Sequence, residues 1–196
     1  MRRFAIATAL VVAVASTSPV TAATWTVGPG STVVFTSKAP MESFDGRTDQ
    51  ISGHLTCTPG DLGEAVDLRM VVDLKSLDTG ISLRNNHMRK NHLETDTYPE
   101  AVFTAGSVVA GGPATLAVGA TVSLKLAGTF DLHGVAREVE IPADVTMTAA
   151  GDLEVEARFE VKLSDHDIKR PKFLVMKLAD EQAVVVKLKL RQEGSS

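Results

Sequence analysis

The chain has 196 residues, with 20 Lys and Arg against 24 Asp and Glu and a formal net charge of −4. An acidic chain of this kind is a poor general partner for phosphate backbones and lacks the basic surplus that draws proteins to anionic membranes, which excludes nucleic-acid binding and electrostatic membrane attachment. Cys57 is the single cysteine, so no intramolecular disulfide staples the fold and burial alone must hold it.

In chain order, residues 1–22 read as a secretory signal peptide: Arg2 and Arg3, an uncharged apolar run from Phe4 to Ala15, then small residues. A permanent membrane helix needs about 20 apolar residues, more than this run supplies. Val20-Thr21-Ala22 predicts cleavage after Ala22 or Ala23 and a periplasmic or secreted mature protein. Residues 23–196 then carry 18 basic and 24 acidic side chains, a charge of −6, at a length that suits one domain with one core.

Strand signals follow at short intervals. Val33 and Phe35 alternate with polar neighbours, and Cys57 closes a further strand as a buried structural thiol. In "VDLRMVVDLKSL" Val66, Leu68, Met70, Val72 and Leu74 face one way, and Asp67, Arg69, Asp73 and Lys75 the other. "AVFTAGSVV" resumes the pattern at residues 101–109, and "TVSLKLAGTFDL" continues it through Leu124 and Leu126, with Gly128 marking a bulge or bend. "FDLHGVAREVEI" reads as two strands joined at His133-Gly134. Leu153 to Leu163 alternate strictly with charged residues, as do Val184, Val186, Leu188 and Leu190. Glycine- and proline-bearing turns separate the runs, among them Gly28-Pro29-Gly30 and Gly111-Gly112-Pro113. Period-two patterning puts one face against an apolar interior and the other in water. The fold class is therefore all-β and mainly antiparallel, most economically a closed barrel of about eight strands.

One stretch departs from this pattern. After Gly80, "SLRNNHMRKNHLETDTYP" predicts a short helix inserted near residues 82–92, with Ser82 as its N-cap and Pro99 ending the excursion. Leu83, His87 and Met88 share a helix face, and Arg84 neighbours His87. The basic side chains and the carboxylates Glu94 and Asp96 read chiefly as a solvated surface.

Five histidines (54, 87, 92, 133 and 166) raise the question of a metal. His87 and His92 are five apart, which does not align them on one helix face, and the aspartates flanking His166 point away from it on a strand. No metal or cofactor is assigned, and no catalytic residue, since no nucleophile elbow is present. The chain is read as a non-enzyme. A barrel of about eight strands can instead hold one small apolar molecule. Arg84, His87 and His92 would then stand at its mouth and meet a polar head group.

Three stretches resemble the YceI-like family of secreted bacterial lipid-binding proteins. "SLDTGISLRNNHMRKNHLETDTYPEAVF" is similar to the family's strand-end, helix and return strand; "AGTFDLHGVAREVEIP" resembles its hairpin; "STVVFTSKAPMESFDGRTDQISGHL" looks like its N-terminal strand pair. With the C-terminal "LSDHDIKRP…DEQAVVVKLKL" the resemblance spans nearly all of residues 23–196. Arg84-Asn85 and "LETDTYP" depart from the family's Arg-Asp and its phenylalanines before Tyr-Pro. The resemblance implies a lipocalin-like barrel that binds a polyisoprenoid, quinone-like or fatty molecule as a carrier. Val33, Phe35, Leu68, Met70 and Val72 are the expected lining on the N-terminal side. Phe103, Leu124, Leu126, Phe159 and Val161 are the expected lining on the C-terminal side. Two alternatives stand beside it: a metal-assisted periplasmic enzyme using His87, His92 and Glu94, and a filled-core interaction module, a homodimer through a strand edge.

Overall fold

The structure is a computed structural model that describes residues 21–38, 43–62, 66–110, 115–170, 172–173 and 176–194. Residues 1–20, which carry most of the expected signal peptide, and the Gly111-Gly112-Pro113 turn lie outside the described residues.

The alternating runs become strands in the order β1 (Ala23–Val27), β2 (Thr32–Lys38), β3 (Ser43–Thr48), β4 (Ile51–Cys57) and β5 (Asp67–Asp73). Helix α1 (Ser82–Asn91) follows, then β6 (Glu100–Ala110), β7 (Thr121–Leu132), β8 (Val135–Met147) and β9 (Leu153–Lys162). A small ribbon of β10 (Lys172–Phe173) and β11 (Met176–Lys177) precedes β12 (Glu181–Gln192). All the strand pairings are antiparallel, in the order β1-β4-β5-β6-β7-β8-β9-β12, and β12 returns to pair with β1. The result is a closed eight-stranded barrel with one short helix.

Two positions of this ring are broken strands. β12 pairs with β1 through Leu190–Gln192 and with β2 through Ala183–Lys187, so β1 and β2 lie end to end along its edge. Between them residues 28–31 interrupt the strand. Ser31 Oγ accepts from Lys189 N at 3.0 Å and donates to Gly28 O at 2.9 Å, so the Lys189 amide opposite the break keeps a partner. β3 and β4 follow the same path in reverse, pairing with β2 and β1. At the far end β3 closes onto the loop before the helix, where Arg47 and Asp78 exchange backbone hydrogen bonds of 2.9 Å.

The β7–β8 hairpin turns at His133 and Gly134, as the sequence predicts, with φ +56° and +72°. Two consecutive positive φ angles match the twist of the flanking strands. Gly128 marks a bulge, as expected, but the extra residue belongs to the facing strand. The register shifts lie in the facing strand β6, around Gly106 and Val109, and Gly128 lies opposite Ala105. A Cβ on Gly128 would stand 2.0 Å from Thr104 O, so glycine there permits close backbone approach.

The buried apolar side chains form two clusters, and the larger of them fills one end of the interior. Trp25 (0% exposed), Leu153 and Leu190 are fully buried there, with Leu55, Cys57 and Leu124 around them and Leu62 and Leu116 folded in from loops. Trp25 Nε1 donates to Gly151 O in the β8–β9 turn at 2.8 Å, which satisfies its one polar atom. Cys57 is buried in this plug, as expected, and burial pushes its thiol up to about 11.

Candidate ligand-binding cavity

At the other end the strands leave a cavity of about 940 Å³. An eight-stranded barrel is just wide enough either to be filled by side chains or to hold one ligand. Here the plug fills the first part and the rest stays hollow. Leu68, Ile141, Ala143, Val155 and Leu188 line its depth. Phe35, Phe44, Phe103, Phe130 and Phe159, five of the chain's seven phenylalanines, line its wall. A Cβ on Gly46 would lie 2.1 Å from the Phe35 ring, so the glycine gives that ring its place against β3. Among the described residues, the polar lining consists of Ser37, Arg84, His87, His92 and Gln182.

Helix α1 covers the mouth. Its mean character is polar, and the face with Leu83, Arg84, His87 and Met88 lines the cavity. Leu83 is 80% exposed and Ile81 51% exposed, so the rim itself is apolar and wet. The helix begins at Ser82, but Ser82 does not cap it; Ile81 holds the N-cap position without a side-chain bond. The start is fixed instead by a network from the preceding loop. Asn85 Oδ1 accepts from Thr79 N (2.8 Å) and Thr79 Oγ1 (2.7 Å), and Asn85 Nδ2 donates to Asp78 Oδ1 (2.6 Å). Gly80 N also donates to Asp78 Oδ1, at 2.8 Å. The Asn85 amide and the Gly80 amide hold the Asp78 carboxyl below the usual carboxylate range.

Arg84 is tied into the same network. Its Nε donates to Thr79 Oγ1 at 2.9 Å and its Nη2 to Thr79 O at 2.7 Å, while the guanidinium stacks 4.0 Å over the Phe44 ring. His92 follows the last helical residue. The break in helical geometry brings its ring to 4.9 Å from that of His87, edge to face, although the spacing of five argued against a shared face. His92 Nδ1 donates to Lys169 O at 2.9 Å, because a carbonyl can only accept. Burial first, and the neighbouring His87 second, hold the His92 imidazole below the usual histidine value; the bond to Lys169 O opposes them.

Glu94 does not join these histidines. It sits at φ +46° with Oε2 3.8 Å from His133 Nε2. Asp96 pairs with Lys75 across the surface at 3.6 Å, as the solvated-surface reading expects. Among the described residues no three His, Cys, Asp or Glu side chains are grouped to hold a metal ion. His166 is not on a strand, as the sequence suggested; it ends a 3-10 turn (Leu163–His166), buried, with Nδ1 donating to Val135 O at 2.9 Å. His133 Nδ1 donates to His166 O at 3.1 Å and its ring lies 4.5 Å from that of Tyr98. These two histidines tie the loop after α1, the β7–β8 turn and the end of β9 into one frame around the mouth.

Residues 25–190 match the YceI-like domain family. The chain belongs to that family. Among solved structures it is similar to a polyisoprenoid-binding domain from Saccharophagus degradans implicated in plant cell wall breakdown. The identity is 25% over 87% of this chain and 99% of that one, with a TM-score of 0.70. The BcnA protein of Burkholderia cenocepacia shares the fold at 22% identity, covering 81% of this chain and 95% of that one, TM-score 0.67. A YceI protein of Campylobacter jejuni shares it at 17% identity, covering 74% and 82%, TM-score 0.58. A comparison with curated proteins gave no significant match.

Within this YceI-like barrel, twelve of the thirteen residues expected from sequence line the cavity. Val33, Phe35, Leu68, Met70, Val72 and Phe103 do so from β2, β5 and β6. Leu126, Phe159 and Val161 do so from β7 and β9, and Arg84, His87 and His92 from the mouth. Leu124 is the correction. It points inward like Leu126, but two residues further along β7 the plug has already filled the interior, and Leu124 packs there beside Val145 and Trp25. Sequence reasoning missed Phe44, Phe130, Ser37 and Gln182. Phe130 and Ser37 were legible, since they continue the alternation of Leu126 and of Val33-Phe35. Phe44 and Gln182 depend on where the broken strand β3 and the start of β12 meet the mouth.

Proposed function

We propose that the chain is a carrier that holds a long apolar molecule (a polyisoprenoid, quinone-like or fatty chain) inside its barrel without transforming it. The observation that carries this reading is the apolar cavity of about 940 Å³, open at the helix end and plugged at the other. Drug-sized ligands occupy pockets of about 300–1,000 Å³, so this one is at the large end. At roughly 30 Å³ for each water-sized group, it accommodates a chain of about thirty such groups.

Burial supplies the affinity. Each buried methylene is worth about 0.8 kcal/mol, so ten of them give about 8 kcal/mol, a micromolar Kd before ordering costs. A single hydrogen bond nets about 1 kcal/mol, enough to orient the chain but not to hold it. The polyisoprenoid-binding relative supports the ligand class. The filled-core interaction module loses its ground, because the interior is hollow.

The signal-peptide pattern supports export, so we place the carrier in the periplasm or outside the cell. Intact mass of the exported protein should correspond to a start at Ala23 or Thr24; retention of residues 1–22 would overturn the export reading. For the carrier, the test is mass spectrometry of an organic extract of protein recovered from a bacterial periplasm. A stoichiometric long-chain lipid is expected. No lipid, even after incubation with isoprenoids and fatty amides, would sink it.

A further inference from the structure

The register of β7, β8, β9 and β12 shows where the cavity stops. Ala143 on β8 lies directly opposite Ala157 on β9, and both buried side chains line the cavity. Alternate residues of a strand share a face, so the inward neighbours of each alanine are the residues two positions away. Toward the mouth these are Ile141 and Phe159, both on the cavity wall. Toward the plug they are Val145 and Val155, again opposite one another. Val145 packs in the core, as does Leu124 opposite Ala143 on β7. Val155 and the facing Leu188 of β12 are the last cavity wall before the plug. Two small side chains at this level keep the cavity open as far as Val155 and Leu188.

We propose that Ala143 and Ala157 set the longest chain this barrel can bury: they admit the bare hydrocarbon end of the ligand to the floor of the cavity, and that floor stops it. The inference deepens the carrier reading and rests on it.

Volume makes the argument. Below this level Leu153 and Leu190 are fully buried, and a packed interior resists even one added methylene. A chain that has reached the floor can therefore grow only outward through the mouth, where further carbons stay in water and gain no burial. Affinity should rise with chain length until the chain spans floor to mouth, and then level off. The alanines decide where that happens. Leucine at both positions would add six carbon groups, at roughly 30 Å³ each about 180 Å³ of a cavity of about 940 Å³. That is the room of about one five-carbon isoprene unit. The side chains around the pair are apolar, so a hydroxyl or carboxylate at the inserted end would lose its water without gaining a partner.

The test is a series of linear prenols, lengthened one isoprene unit at a time from geraniol upward, each displacing a fluorescent fatty probe. In the native protein each added unit should tighten binding tenfold or more until the chain holds about thirty groups, and by less than about twofold after that. In Ala143→Leu/Ala157→Leu the break should come about one unit earlier. The break is located within each protein, so a general loss of affinity does not move it. A break at the same length in both proteins, or a gain that continues without a break, would overturn the stop and leave the carrier standing. The native protein supplies a second reading that does not depend on the variant's folding. A prenol carrying a photoreactive diazirine at its hydrocarbon end should label the β8 and β9 peptides that hold Ala143, Val155 and Ala157. Label confined to Phe44, Leu83 and Leu93 at the mouth would overturn the stop. Failure of every prenol to displace the probe would remove the carrier reading, and the stop with it.

Discussion

Trp25 and His92 stand at opposite ends of one barrel, on the same interior, and each is a ring with a polar nitrogen. Trp25 Nε1 has its partner in Gly151 O and its ring is wholly buried, surrounded by Leu55, Leu153 and Leu190. His92 Nε2 has no partner, and its ring borders an empty volume. The difference is one of closure. At the plugged end, loops carry Leu62 and Leu116 inward and buried side chains close the interior. At the mouth, a helix with a polar surface is tethered by hydrogen bonds to a loop, and a smaller buried cluster, with Leu74, Leu77, Ala101 and Leu132, also lines the cavity. Stability is concentrated at one end and binding capacity at the other, the division expected when a site must admit and release a ligand.

The sharpest way to break this comparison is at the plug. Trp25→Ala should cost about 3–5 kcal/mol, as truncation of large buried rings does, read as a lowered denaturant midpoint. A loss below about 1 kcal/mol would mean that the plug is not where the fold is held. At the mouth, Asn85→Ala should cost less, about 1–3 kcal/mol. It leaves the Thr79 amide and hydroxyl without their acceptor, and faster amide exchange confined to residues 82–91 would show that the tether is local. Global unfolding at the same rate as exchange in α1 would contradict it.

The pH dependence should separate the ends further. Asp78 is held below the usual carboxylate range, so the unfolded chain takes up a proton before the native one does. The stability it contributes is present above the unfolded value of 3.8 and is lost as pH falls through the lower native value. His92 is held below the unfolded value of 6.5, so acid favours the unfolded chain from there down to its native value. The His87 ring and the Lys169 carbonyl lie against it. Cys57 runs the other way: its thiol is pushed from 9.0 to about 11, so stability falls as pH rises through that window. Near-ultraviolet circular dichroism from the one tryptophan should therefore respond to alkali. Amide exchange in α1 should respond to acid, and the reverse assignment would refute the scheme. The smallest effect is expected at the rim: Leu83→Ser should change stability by less than about 0.5 kcal/mol, since that side chain is 80% exposed. A calorimetric midpoint lowered by many degrees would show that Leu83 is buried in solution.

Much of this was legible before any coordinates. Leu68, Met70 and Val72 announced an inward face, and the strands placed them on the cavity wall. His133-Gly134 announced a hairpin turn and made one. The helix appeared at Ser82–Asn91, close to the expected bounds, but its cap was misread. Ser82 carries the right side chain for an N-cap, yet Thr79, a residue earlier in the loop, is anchored by Asn85 from inside the helix, a contact that no capping pattern encodes. His87 and His92 looked separated by their spacing because that argument assumes an unbroken helix, and the helix ends between them.

The sequence by itself determined which side of the main strands is apolar and where a hairpin turn such as His133-Gly134 falls, because these are local consequences of period-two alternation and of the freedom of glycine at positive φ. Only the tertiary structure decided that the interior is half full. Leu124 and Leu126 are the same residue type on the same face of one strand, two positions apart; one is core and the other is cavity wall. What distinguishes them is how far the loops at the closed end reach inward, a matter of barrel radius and distant chain segments. For the same reason, the burial of Ser37 Oγ and His92 Nε2 without a partner becomes visible only once the barrel has closed around them.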